Sequence, residues 1–412
     1  MIVLAAAGVL ALMTLTPAQT SSTPLAKICA SLGQLTPSSW TEQQALADAK
    51  AIACPIPPKP VSTALPSGPR VTALKHAGNF ELPAEFAYGG QGLAYNKTRN
   101  SLIVSGFNRS PLTAEVSIPR SGTAKFLQPL VDSTEGKSPE VNLSSPNDKK
   151  VGGYYILGSR LIISVFDYYD GAGTQMLSHF VRPLDLNAKD QVEGPCRVGP
   201  LGAGLYSGYF ADIPAEWQVA LGGPVLIGNG GLSIIGRTSH GPAAFAIDPA
   251  KVCVNQNAVP LLYYPRDHPM LGDYGLAGIH PMFNGTSRIT GVVFPPGTSS
   301  VLFFGRTGFG PFCYGEASAC GNDPGERYKG VHASPYGYFV WAYDAADFAA
   351  VKAGKKQPWD VVPYATWEPL ARDGGWDQIL GAAFDPATGR IFVESQANDN
   401  LPPTIHIFTV GQ

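Results

Sequence analysis

The residues in this chain best suited to chemistry are carboxylates and indoles standing in polar, glycine-rich stretches. Asp167, Asp170, Asp212, Asp267, Asp273, Asp377, Glu394 and Asp399 all fall outside apolar runs or at their ends. Glycoside hydrolysis needs two carboxyl groups about 5 to 9 Å apart, one protonated to donate to the leaving oxygen and one ionised. Asp273 and Asp377 are the expected acid and base, with Asp167 as a third candidate. Trp376 precedes Asp377 and Gln378 follows it; Trp217-Gln218 repeats the theme, and Gln91 sits between two glycines. An indole offers a flat face to a sugar ring together with one donor, and a primary amide both donates to and accepts from hydroxyls. The same amides serve equally well to bond one repeat unit to the next. Arg306 and His332 flank the longest polar stretch, where His332 is placed to orient a hydroxyl. Exposed aspartates in such stretches commonly cap turns, so everything depends on the elements that bring these groups together.

Those elements repeat. A Gly-led apolar run, a tight turn and a second apolar run occur at Gly92 to Ser105, Gly291 to Gly305 and Gly381 to Glu394, with looser copies at Tyr154 to Ser164 and Pro224 to Ile235. A sheet unit recurring at long intervals is how a propeller is encoded, since each blade buries its faces only against its neighbours. The expected fold is all-β: a β-propeller of five four-stranded blades over residues 71–412. Blade five supplies only three strands, so Val71 to Gly78 is expected to close it and remove the exposed edge. Blade three is expected to use 222–227, 232–236, 242–247 and 258–264, which sets Trp217 and Gln218 just ahead of its inner strand. The connections from second to third strand and from blade to blade are long and polar, and they share one face. Function concentrates in such loops.

In repeat pattern the chain resembles the five-bladed propeller group, which includes polysaccharide-degrading glycosidases, sugar-binding lectins and a nucleotidase. The resemblance implies the architecture and an extracellular carbohydrate as partner, but no catalytic motif carries over residue by residue, and fold alone does not fix function. Three readings follow: a glycosidase, a lectin-like module, or a surface or filament assembly protein.

Composition narrows the partners. Gly (47) and Pro (37) are abundant, charged residues make up 15%, and the net charge of −2 gives no electrostatic footprint for nucleic acid. No serine-hydrolase elbow, zincin motif, phosphate loop or dinucleotide fingerprint is present. Asp167-Tyr-Tyr-Asp170-Gly171 resembles part of an oxygen-rich calcium loop without its full run of acidic ligands, so calcium is the one cofactor left open.

Residues 1–20 read as a secretory leader: Met1 to Leu15 is almost wholly apolar and Thr16-Pro-Ala18 supplies small residues for cleavage, although no basic residue precedes Lys27. Retained instead, the segment would be an apolar helix suited to self-association. Residues 21–54 read as a small helical piece, with Ser39 and Glu42 in capping-box spacing, and 55–70 as a Pro-rich linker. Six cysteines without a Cys-x-x-Cys pair point to three disulfides in an extracellular or periplasmic protein, in sequential order: Cys29–Cys54, Cys196–Cys253 and Cys313–Cys320.

Overall fold

The computed structural model describes residues 65–231, 237–254, 258–265, 283–324, 328–372, 374 and 378–411. The leader, the helical piece, most of the linker and the Cys29–Cys54 pair lie outside the described residues, as do Asp273, Trp376 and Asp377.

The chain from Leu65 onward forms five four-stranded antiparallel sheets. It enters through β1 (Leu74–Glu81). Blade one follows as β2 (Leu93–Asn96), β3 (Ser101–Ser105), β4 (Leu112–Ser117) and β5 (Phe126–Asp132). Blade two is β6 (Lys149–Leu157), β7 (Arg160–Asp167), β8 (His179–Pro183) and β9 (Glu193–Cys196). Blade three is β10 (Phe210–Asp212), β11 (Val225–Ile227), β12 (Ala244–Ile247) and β13 (Val259–Leu262). Blade four begins with β14 (Arg288–Val293) and β15 (Ser300–Gly308), gives off a small hairpin of β16 (Cys313–Gly315) and β17 (Gly330–His332), and ends with β18 (Tyr336–Asp344) and β19 (Ala365–Trp367). Blade five is β20 (Gln378–Asp385), β21 (Arg390–Gln396) and β22 (Thr404–Val410), with β1 as its outermost strand. The inner strands touch in cyclic order, β2 to β6, β6 to β10, β10 to β14, β14 to β20 and β20 back to β2, so the ring is closed.

The Gly-led runs are explained at the axis. A Cβ on Gly152 would lie 1.8 Å from the Ser207 carbonyl oxygen, and one on Gly381 would lie 2.7 Å from the Leu93 Cβ. Inner strands of adjacent blades approach too closely there for any side chain. Farther out the blades separate and fill the gap with apolar side chains. Leu93 and Val104 of blade one meet Ala383 and Phe392 of blade five, and Phe80 of β1 completes that cluster. Blades three and four meet through Leu226, Ala246, Ile289, Phe303 and Trp341.

Blade three departs from expectation. Val225 pairs with both Asp212 and Ile247, so both edges of β11 are taken and the run at 224–227 is a second strand, not an inner one. The inner strand is the three-residue β10, too short to show a pattern in sequence. Between them Pro214 opens helix α1 (Ala215–Leu221), and Gly222 ends it at φ 94°, a left-handed conformation that glycine adopts without steric cost. Helix α1 packs on α2 (Ala345–Lys352), which joins β18 to β19, so both helices lie on the face opposite the long loops. Blade two's fourth strand, expected without a definite position, carries Gly194-Pro195, which weakens its strand signal.

Two expected disulfides are present. Cys196–Cys253 joins β9 of blade two to the β12–β13 connection of blade three, and Cys313–Cys320 ties the β16–β17 hairpin, with Cα separations of 5.1 and 5.7 Å. Among the described residues no helix is long and apolar enough to cross a membrane.

Ring closure by β1 gives a direct expectation. Phe80 is buried against blade one while Lys75 on the same strand is exposed. Phe80→Ala should cost about 3–5 kcal/mol, and Lys75→Ala should stay within about 0.5 kcal/mol. Urea unfolding midpoints of the two variants check this.

A ligand-sized bowl at the propeller axis

Strand direction fixes which residues can meet. The second-to-third-strand loops and the blade-to-blade connections emerge together around the axis, and there the described residues enclose a bowl of about 610 Å³. This lies within the roughly 300–1,000 Å³ range of small-ligand sites. Every blade contributes to the lining: Gln91 and Arg109 from blade one, Asp148 and Lys150 from blade two, Gly231 from blade three, Arg288 from blade four, and Gln378, Gln396 and Asp399 from blade five. Tyr88, Phe107, Phe166, Tyr168 and Tyr328 supply aromatic wall.

The wall between blades five and one is knitted by Tyr88, which sits at φ 59°. Its N–H donates to the Asp399 carbonyl at 2.7 Å, its hydroxyl donates to Asn400 Oδ1 at 2.8 Å, and its carbonyl accepts from the Asn108 N–H at 2.9 Å. Across the bowl, an Arg288 Nη donates to Gln378 Oε1 at 2.9 Å, which turns the amide's acceptor toward the arginine and leaves its NH₂ as the remaining polar group. Gln396 does the reverse, donating its amide to Leu401 O at 2.9 Å. Gln91 Nε2 is buried and has no hydrogen-bond partner, as is Asn108 Oδ1. Lys150 Nζ stands 4.2 Å over the Tyr168 ring. Asp148 reaches Arg109 only at 4.0 Å, with both side chains about half exposed.

Of the site residues read from sequence, Gln91 and Gln378 converge in this bowl, because Gln91 just precedes inner strand β2 and Gln378 opens inner strand β20. Gln218 does not. It lies on α1, donating to Ile213 O at 2.9 Å, and Trp217 beside it is fully buried with its indole N–H on Thr298 O at 3.1 Å. The helix, unread in the sequence, carries both to the opposite face. Asp167 is buried at the end of β7, 3.0 Å from Asn142 Nδ2 and 3.5 Å from Lys149 Nζ. Strand alternation points it away from Phe166 and Tyr168, which do line the bowl.

His332 is also buried, with Nδ1 3.1 Å from Asp323 Oδ2 and Nε2 3.0 Å from Gly315 O. Tyr336 donates to the same Asp323 oxygen at 2.7 Å, and the Arg306 guanidinium lies 4.5 Å over the Tyr336 ring. His332 and Arg306 therefore anchor the return of the long insertion, whose contribution to the bowl is Tyr328 and Lys329. The lysines and arginines of the lining are scattered along the chain, in loops and strands of different blades, and carry no pattern by which sequence could have found them. Among the described residues no cluster of His, Cys, Asp or Glu is arranged to hold a metal ion. The partial calcium motif serves its own loop instead: Asp170 accepts from the backbone N–H groups of Thr174 and Gln175.

No protein-family model matches the chain, and no curated protein matches it. Among solved structures it is similar to the native arabinanase of Bacillus subtilis, at 10% identity over 81% of this chain and 96% of that one, with a TM-score of 0.41. An exo-1,5-α-L-arabinanase from a bovine ruminal metagenomic library shares 10% identity over 83% and 94% of the two chains, with a TM-score of 0.42. A luciferin-regenerating enzyme shares 9% over 83% and 95%, with a TM-score of 0.36. Similarity this low assigns no ligand and no chemistry to the chain.

One carboxyl group lies two residues below Gln396 on the same strand face. Glu394 is wholly buried between blades five and one, neither oxygen has a hydrogen-bond partner, and burial pushes its pKa well above the usual carboxylate range. The folded state then holds a proton that the unfolded chain releases above about pH 4.3. Stability on this account falls as pH rises from there. Glu394→Gln should therefore raise the urea midpoint at pH 7, and the difference from the unsubstituted protein should vanish near pH 4.

Proposed function

We propose that this protein recognises an extracellular carbohydrate in the axial bowl. The observation that carries the reading is the convergence, in one ligand-sized cavity, of amides from blades one and five with aromatic rings from blades one, two and four. Hydroxyl-rich ligands are held by groups that donate and accept in fixed directions, and Gln91, Gln378, Gln396 and Asn108 supply both senses. Tyr88, Tyr168 and Tyr328 offer apolar faces with polar tips, as saccharide rings require. Trp376 and Asp377 directly precede Gln378 in the chain, which supports a part for them at the same site. The bowl's place at the axis, where rigid inner strands hold each amide, lowers the ordering cost of binding.

The two disulfides in the propeller favour an oxidising compartment, hence secretion or the periplasm, with the apolar leader removed. Retention of that leader as a self-association helix belongs to the assembly reading.

Hydrolysis is the second reading. The observation favouring it is that Asp148 and Asp399 both reach the bowl, from blades two and five. Asp273 and Asp377 remain the proposed acid and base. Against this, the carboxyl group held protonated, Glu394, is sealed below the bowl where it touches no ligand.

A panel of oligosaccharides assayed for binding and for reducing-end release separates the readings. Recognition predicts binding without release, weakened about tenfold by Gln91→Ala, the value of one good hydrogen bond, and weakened likewise by Trp376→Ala. Release that drops about 10²–10⁴-fold in Asp377→Asn would establish hydrolysis. Failure to bind any glycan would leave the assembly reading.

A further inference from the structure

We propose that His76 and His406 form a transition-metal site, fitted to zinc, that clips the two ends of the propeller chain together. His76 lies on β1 and His406 on β22, 330 positions apart in sequence, and the strand pairing that closes the ring brings them side by side. His76 Nε2 stands 3.4 Å from His406 Nδ1, with the ring planes at 56°. That is longer than a good hydrogen bond of about 2.7–3.2 Å, so a shared proton is a weak account of why the two nitrogens face each other. A metal ion is a better one. Zinc binds imidazole nitrogen at about 2.0–2.1 Å, and two nitrogens 3.4 Å apart then subtend roughly 110° at the ion, the tetrahedral angle that zinc adopts.

The surroundings hold both rings in place. His406 Nε2 meets Ser395 Oγ at 3.0 Å. Donation of its N–H to that oxygen leaves the lone pair on Nδ1, the atom that faces His76, and an outer oxygen fixing the tautomer in this way is the usual companion of a metal-binding histidine. Phe408 packs against both imidazoles, its centroid 5.3 Å from His76 and 6.4 Å from His406. The register of β1 shifts between His76 and Gly78, a bulge with Ala77 as the extra residue, and bulges re-aim neighbouring side chains. His76 is exposed and His406 half-buried, so an ion reaches the pair from solvent and water completes its shell. Among the described residues no third His, Cys, Asp or Glu joins the pair. Two imidazoles suit zinc, copper and nickel, whereas magnesium and calcium require oxygen ligands. A clip between residues so far apart closes a loop of nearly the whole propeller, the case in which a cross-link restrains the unfolded chain most. Only the folded protein offers both nitrogens at one point, so bound zinc stabilises it by mass action.

The experiment titrates the full-length protein with zinc chloride by calorimetry at neutral pH, in a buffer that binds no metal, and follows urea unfolding over the same zinc concentrations. Magnesium and calcium chloride serve as controls. The unsubstituted protein should bind a zinc ion that His76→Ala, at an exposed position, loses by roughly tenfold or more in affinity while its metal-free urea midpoint stays unchanged. Ser395→Ala keeps both ligands and removes the orienting oxygen, and should weaken zinc about tenfold. With free zinc at 100 times its dissociation constant, the ratio of folded to unfolded protein should rise about a hundredfold, and this rise should disappear in His76→Ala. No zinc binding, zinc binding unaffected by His76→Ala, or magnesium or calcium binding as tightly as zinc would each overturn the site. Zinc lost on substitution without any effect of zinc on the urea midpoint would overturn the clip, by showing that the unfolded chain holds the ion equally well.

Discussion

The antiparallel pairing of β1 with β22 is the interaction on which the rest of the structure depends. It joins Leu74 through Glu81 to Val410 through Thr404, the two ends of the propeller's chain, in one sheet. Without it blade five would end in an open edge and the contact between β20 and β2 would have no support from outside. Closure also fixes the ring's circumference. With five blades the inner strands are pressed together until only glycine fits at points such as Gly152 and Gly381. The residues immediately above those points cannot spread apart, and this is why amides of blades one and five share one bowl with charges and rings from their neighbours.

The same crowding accounts for where polar groups are tolerated inside. On blade one, Glu115 is fully buried but accepts from Asn96, Ser101, Arg99 and Gln128, so its charge is answered on every side. On blade five, Asp385 sits in the equivalent turn region with Thr388 and Arg390; burial works to raise its pKa, and those donors overcome it and hold the group below the ordinary value. Glu394 has no such answer, and burial pushes its pKa well above the usual carboxylate range. Carboxylates answered by donors thus fix strands and turns within the blades, whereas Glu394, neither of whose oxygens has a hydrogen-bond partner, lies under the ligand face.

Much of the ring was legible in the sequence because hairpins with tight turns repeat, and because three strands left over at the C-terminus call for a fourth from the other end. The inner strand of blade three was not: three residues carry no alternation, and the helix after Pro214 occupies the stretch expected to lead into an inner strand at 222–227. That one misread element misplaced Trp217 and Gln218. Gln91 and Gln378 were legible because a residue at the start of an inner strand must stand at the channel mouth. His332 and Asp167 illustrate the opposite limit, for nothing in the chain before folding shows that Asp323 and Lys149 hold them. The cations of the bowl were invisible for a similar reason, since single charges scattered along the chain look like any solvated surface.

The central claim is that the axial bowl is the ligand site, and amide hydrogen exchange with and without a saturating oligosaccharide drawn from the binding panel tests it most directly. Peptides covering residues 88–91, 107–109, 378–380 and 396–399 should exchange more slowly with the oligomer present, while 126–130 at the outer edge of blade one and 215–221 of α1 stay unchanged. Protection confined to the outer strands or to the helical face, with the bowl peptides unaffected, would contradict the account.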